Sequence, residues 1–313
     1  MPTKLLESLG GKLAEQWAAN LFTPAFVFWL GGLIAWIQRF GWQTLEQWFT
    51  QLVDPLQVAI LFVALLIILT TAFAIQKLDL AVLRFFEGYW SRWLKPLRRW
   101  LIQRQYREWM RLDQRWQALA LKREQLQQDQ KDLPPEELEE LIAIDWQLRQ
   151  VPSQPQRLMP TKLGNLLRAA ETRPTEKYGL DAVICWSRLW LVLPEPVKKE
   201  LQEARADLNT AARVWLWGVL FCSWIIWAWW AVPVGVGVAW FAYGWMLESA
   251  ATYSDLLESA FDLYRMELYK SLHFPLPAHP AEERELGLQV TEYLWRGSQR
   301  EKPKFIYSSQ RVD

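Results

Sequence analysis

The chain has 313 residues, 51% of them hydrophobic, with 35 basic and 34 acidic side chains and a formal net charge of +1. That length allows one membrane bundle plus a soluble region of domain size, and the balanced charge gives no support for nucleic acid as a partner. Many of the 22 tryptophans flank apolar runs, where an amphipathic indole favours the membrane–water boundary, so the composition points to an integral membrane protein.

The first expected transmembrane helix covers about 21–40. Its core Leu21–Ile37 is apolar, with Thr23 placed to cap it and Pro24 at the first helical position. Lys4 and Lys12 precede it, but Glu7 and Glu15 dilute their charge and no small-residue cleavage pattern follows Ile37, so the segment reads as a retained helix and not as a signal peptide. A second span covers about 55–76, and Leu56–Ile75 holds no ionisable residue over the length a bilayer core requires. The link from Gln38 to Pro55 carries Arg39 beside Glu46 and Asp54. By contrast, Arg84, Arg92, Lys95, Arg98 and Arg99 follow the second span. This asymmetry predicts a multi-pass protein of the inner (plasma) membrane with both termini cytoplasmic. The expected organisation is an N-terminal hairpin over 1–77, a helical cytoplasmic domain over 78–210, a second hairpin over 211–251, cytoplasmic helices over 252–296 and a loose tail over 297–313.

From Leu78 to about Gln130 the sequence predicts one long helix, kinked at Pro96. Phe86, Trp90, Trp93, Leu97 and Trp100 recur at steps of four and three, and Trp109, Leu112, Trp116 and Leu119 repeat the rhythm. Arg98, Arg99, Arg104, Arg107, Arg111 and Arg115 make the other surface basic. Lys95, Arg98, Arg99 and Arg104 are the residues that would face anionic lipid if the helix lies on the membrane. The competing reading packs the Trp stripe on a partner helix and leaves the arginines solvated. A second helix starts at Pro134-Pro135 and runs to about Gln150, with Glu136 and Glu137 where the dipole favours them. It can fold back on the first as an antiparallel coiled coil, and the proline-rich stretch 151–160 follows as a linker.

The next stretch is the least generic. Pro160-Thr161-Lys162-Leu163-Gly164-Asn165, Leu167-Arg168-Ala169-Ala170-Glu171, Tyr178-Gly179-Leu180-Asp181-Ala182 and Arg188-Leu189-Trp190, with Phe261-Asp262-Leu263-Tyr264-Arg265 and Pro275-Leu276-Pro277 later on, resemble a family of uncharacterised bacterial polytopic membrane proteins. The resemblance covers roughly the second half of the chain, implies the same topology and carries no activity. Physically, Thr161 can cap a helix and Gly164-Asn165 allows another backbone to approach closely. Arg168 can pair with Glu171 or with Asp181. Asn165, Arg168, Glu171, Tyr178 and Asp181 form a candidate ligand site or, alternatively, a clamp that ties helices together.

A helix opening near Pro196 should run without a breaker into the third span. The uncharged stretch from Val214 to Leu247 is too long for one span and tight for two. It reads as two helices over 211–251 joined by a short turn, with a re-entrant hairpin as the competing reading. Gly235 and Ala239, with Ala242 beyond, suit close helix approach in lipid. Cys185 and Cys222 fall in different regions, and neither has a CxxC or Cys/His context. The fourth span should continue as a helix to about Leu272. Glu248, Asp255, Glu258 and Asp262 share one of its faces. In a symmetric oligomer they would form acidic rings at a pore mouth; otherwise they pair with the arginine face of the long helix or are solvated. A last helix is expected from Pro280 to about Trp295.

There is no Gly-rich phosphate loop, HExxH, GxSxG or Cys/His nucleophile pair. His273 and His279, near Glu282 and Glu283, read as surface residues and not as metal ligands. No charge lies inside a span core, which counts against an ion-coupled pump. The expectation is therefore an all-α, non-enzymatic integral membrane protein with four transmembrane helices in two hairpins and a helical, partly coiled-coil cytoplasmic domain. It needs no cofactor or metal, and its partners are membrane lipids and further copies of itself. The first functional reading is a channel or large pore gated by the cytoplasmic domain. The second is a membrane scaffold or signalling receptor that recruits a cytosolic protein.

Overall fold

The computed structural model describes residues 24–297 and 303–307. Thr23 and the charges ahead of it, Lys4, Glu7, Lys12 and Glu15, lie outside the described residues. Eleven α-helices and no strand occur among the described residues, so the chain is all-α. It divides into two compact units, Met1–Leu83 with Asn209–Met246 and Arg84–Leu208 with Leu247–Asp313.

The first unit contains α1 (Pro24–Phe40), α2 (Trp42–Thr50) and α3 (Asp54–Gln76), and α4 (Asp79–Glu87) begins in it. It also takes the second half of α9 (Glu195–Phe221), a 3-10 turn over Cys222–Ile226 and the first portion of α10 (Ala231–Ser271). Pro55 lies in the first turn of α3, where its missing N–H costs no helical bond. Among the described residues, one helical stretch is long and apolar enough to cross a membrane, the one beginning at Asp54. Four such helices were expected. However, α1 has 17 residues, and the uncharged run 214–247 is helical only over 214–221 in α9 and 231–247 in α10, with the 3-10 turn and irregular chain between them. Each helical piece is therefore shorter than the ~20 residues a span needs.

Close packing in this unit depends on glycine. A Cβ at Gly31 would strike the Phe221 ring and one at Gly32 the Trp224 indole. Trp224 Nε1 in turn donates to the Phe28 carbonyl at 3.1 Å, and Trp29 Nε1 donates to Thr71 Oγ1 at 3.1 Å. Arg213 and Asp79 form a half-buried bidentate pair, with contacts of 2.6 and 3.2 Å. Gly235 and Ala239 serve the hairpin's own interior. A Cβ at Gly218 would stand 2.8 Å from the Ala239 nitrogen and 3.0 Å from the Gly235 carbonyl, whereas one at Gly237 would meet nothing within 4 Å. Gly218→Val should therefore lower the thermal midpoint in detergent, at an overpacking cost of about 1–3 kcal/mol, while Gly237→Val leaves it in place. Equal midpoints for the two variants would show that α9 and α10 are not apposed there.

In the second unit the expected long helix is broken. Gly88 takes a φ of +84°, which glycine adopts without steric cost. Irregular chain and a 3-10 turn (Arg92–Leu94) then separate α4 from α5 (Lys95–Gln128). Pro96 makes no kink, because it sits in the first turn of α5, where a proline fits. The C-terminal half of α5 folds against α6 (Pro135–Arg149) as an antiparallel hairpin. It buries Leu119, Leu133, Leu141 and Ile144, with Arg115–Glu140 at 2.6 Å and Lys122–Glu137 at 2.7 Å on its flank. The N-terminal half and the 3-10 turn before it have no such cover: Trp93 in the turn is 78% exposed, and Leu97 and Trp100 on α5 are 45% and 52% exposed.

The core of this unit lies among α7 (Lys162–Tyr178), α8 (Ala182–Val192), the first part of α9, the C-terminal portion of α10 and α11 (Pro280–Arg296), with Leu180, Leu189, Leu201, Phe261, Leu268, Tyr269 and Val290 buried. The starts of α7, α8 and α11 are each capped by a side chain. Thr161 Oγ1 accepts from Gly164 N at 3.0 Å, Asp181 Oδ1 from Ile184 N at 3.1 Å and His279 Nδ1 from Glu282 N at 3.3 Å. α7 ends in Gly179 with φ +72°. The expected loose tail is in part ordered: Ile306 N donates to the His273 carbonyl at 2.8 Å, and Phe305 packs on Phe274 and Tyr293.

Candidate functional site

The five residues grouped from the sequence separate into four structural roles. Asn165 is 1% exposed; its Oδ1 accepts from Met159 N at 2.6 Å and its Nδ2 donates to Gln105 Oε1 at 3.3 Å, so it ties α5 to the start of α7. Thr161 Oγ1 donates to the Phe86 carbonyl, and Gly164 lies against the backbone of Phe86 and Glu87. These contacts clamp the end of α4. Tyr178 donates to Asp262 at 2.7 Å, and burial, with this hydrogen bond added, pushes its phenol up to about 12. Asp181 does not pair with Arg168, because its carboxylate is committed to capping α8. Arg168 pairs with Glu171 at 3.1 Å and donates to Tyr89 Oη at 3.2 Å.

The acidic stripe has partners, though not on the arginine face of α5. Glu258 is buried and forms ion pairs with Arg173, with Lys177 at 2.6 Å and with Arg149 at 3.6 Å. Asp262 pairs with Lys177 at 3.2 Å, and Asp255 lies 3.9 Å from Arg149. Glu248 is exposed. Burial alone would raise the Glu258 carboxyl, but the Lys177 hydrogen bond and the Arg173 charge outweigh it and hold the group below the ordinary carboxylate value. The cluster joins α10 to α6 and α7, and its spacing on α10 was the only aspect visible in the sequence.

Of the four basic residues expected to face lipid, Arg98 is turned inward and donates from Nε to the Gly88 carbonyl at 3.1 Å. Lys95, Arg99 and Arg104 are exposed. Arg104, Arg107 and Arg111 follow Trp93, Leu97 and Trp100 at steps of three and four. They therefore continue the aromatic face and do not oppose it.

A half-open cavity of about 260 Å³ lies among α4, α7, α8, α9 and α10, all within the second unit. Glu87, Glu171 and Arg205 carry its charge, and Leu167, Trp186 and Tyr253 help form its walls. Arg205 lies over the Tyr253 ring at 5.5 Å. Burial pushes the Glu87 carboxyl above the ordinary range and the Glu171 charge adds to this, with Arg205, Arg168 and Arg84 offsetting some of it. Burial likewise raises Glu171 against the pull of Arg168. Sequence reasoning singled out Glu171 but missed Glu87 and Arg205, which lie 118 positions apart on α4 and α9 with no local motif to join them. The buried Cys185 thiol on α8 is pushed up to about 11 by burial, which disfavours the thiolate. Among the described residues no group of His, Cys, Asp and Glu is arranged to hold a metal ion. A scan against protein-family models, a search of curated proteins and a search of solved structures each found no match.

Proposed function

We propose that the chain is a non-enzymatic, multi-span membrane protein of the receptor or scaffold class, with two membrane hairpins, cytoplasmic termini and a cytosolic helical unit. One observation carries this reading. α3 is apolar around its whole circumference and none of its residues is buried. A helix of that kind needs either a protein core or lipid around it, and the described residues supply no core. Ile226, Trp229, Trp240 and Phe241, each at least 68% exposed, extend the apolar surface along the second hairpin. The Leu97–Trp100 face of α5, preceded by Trp93 in the 3-10 turn and continued by Arg104, Arg107 and Arg111, suits the anionic interface of the cytoplasmic leaflet. The resemblance to bacterial polytopic membrane proteins fits the same placement.

Single-cysteine labelling of intact cells tests the topology. A membrane-impermeant probe should modify Gln43→Cys or Thr44→Cys, in the short α2, and spare Gln127→Cys on α5 until the cells are opened. The reverse pattern overturns the orientation, and labelling of both sites overturns the membrane crossing by α3. A homo-oligomeric pore is the second reading. It is favoured by Glu248 and Asp255, which remain exposed on α10 just beyond the uncharged run.

A further inference from the structure

We propose that the cavity lined by Glu87, Glu171, Trp186 and Tyr253 binds a small organic cation, a primary ammonium on a short apolar body. This deepens the receptor reading by naming the ligand class of the helical unit. At about 260 Å³ the cavity is smaller than the ~300–1,000 Å³ typical of drug-sized ligands. It has room for on the order of nine waters at ~30 Å³ each, hence for a ligand of comparable heavy-atom count.

The polarity of the ligand follows from how the charges are used. Arg168 is committed to Glu171 and Tyr89, and Arg205 lies on the Tyr253 ring. Glu87 takes part in no ion pair among the described residues, and the charges of Arg205, Arg168 and Arg84 only partly offset its burial and the neighbouring Glu171. Burial opposes the ionisation of both acids, and a cation bound beside them would offset that penalty. The Trp186 ring, which also lines the cavity, attracts a cation as well, the Tyr253 face being already taken by Arg205. Leu167, Ala170, Ala182, Val183 and Leu257 give the rest of the ligand an apolar wall. An anion would meet two carboxylates against the single guanidinium of Arg205, and a neutral ligand would leave Glu87 without an ion-pair partner.

The test uses the full chain in detergent and three probes of one shape: 2-phenylethylammonium, 2-phenylethanol and 3-phenylpropionate. Calorimetry should show saturable 1:1 binding of the ammonium only. Affinity should rise with pH as Glu87 and Glu171 ionise, the charged groups facing them being Arg84, Arg168, Arg205 and Asp181. Glu87→Gln keeps the shape of the side chain and should weaken binding roughly tenfold or more, the worth of one charge-assisted hydrogen bond. Val183→Trp is the second variant. Val183 is 71% exposed at the rim, so this change should block binding without unfolding the protein. Ammonium binding that is unchanged in both variants would assign it to the micelle and overturn the site, as would equal binding of the alcohol or no binding by the wild type. None of these outcomes bears on the topology, which the cysteine labelling decides separately.

Discussion

Glu258→Gln should destabilise the helical unit by up to about 3–5 kcal/mol, the cost of breaking a buried ion pair, with most of it arising at Arg173, since Lys177 and Arg149 are 40% and 50% exposed. Arg173, Lys177 and Arg149 all converge on this carboxylate from α7 and α6. The expected readout is a lower thermal midpoint and faster hydrogen exchange in α6, α7 and the C-terminal portion of α10. Changing Glu258 and Arg173 together to Leu and Met removes both buried charges and should recover much of the loss. The pH dependence has a definite sign. The folded carboxyl lies below its ordinary value of 4.5, so its contribution is complete above that value and is lost as pH falls through the lowered one. The same variant separates the functional readings. If Glu258 served in a pore-lining ring, Glu258→Gln would change cation preference while the fold held. A collapse of stability with unchanged selectivity identifies it as the centre of a structural ion cluster.

An equally large effect is expected at the corner between α7 and α8. Gly179 has a left-handed backbone, and a Cβ there would strike the Arg284 carbonyl and stand 2.8 Å from Leu288 N. Gly287, facing it on α11, would drive a Cβ into the Tyr178 carbonyl. Thr291 seals the joint, donating to the Gly179 carbonyl at 3.1 Å and accepting from Asp181 N at 3.0 Å. Backbone atoms cannot swing aside as a side chain can. Gly179→Val therefore adds backbone strain of about 1–2 kcal/mol to an overpacking cost of about 1–3 kcal/mol. Limited proteolysis should then cut the link 272–279 and release α11 at temperatures where the wild type resists. Resistance equal to the wild type would mean that α11 is not docked on this corner.

Local chemistry was legible in the sequence, and the partners that packing brings together were not. Thr161, Pro134-Pro135 and Pro280 announce helix starts because capping and proline geometry act within a few residues. The break at Gly88 was hidden because Phe86, Trp90, Trp93 and Leu97 keep a helical rhythm straight through it, and a positive φ leaves no mark on hydrophobic spacing. The acidic face of α10 was correctly grouped, since helical spacing alone defines a face. Its partners on α6 and α7 depend on a three-helix packing to which no periodicity refers. The cavity was out of reach for the same reason, as Glu87, Glu171 and Arg205 meet only after three separate helices have been placed.

The ion pair between Asp79 and Arg213 bears on how such a chain is assembled. The two residues are 134 positions apart, so in the membrane reading the acid is at the bilayer long before the ribosome has made its base. Arg213 stands near the start of the second hairpin and would enter the interface costly and unpaired unless Asp79 were already waiting there. In that reading the first hairpin would act as a docking post for the second and set the depth at which α9 stops, because a slip of one turn would pull the acid and its base away from each other where water is scarce. Insertion would then be ordered by the chain itself, and a second hairpin made without the first would lack its stop.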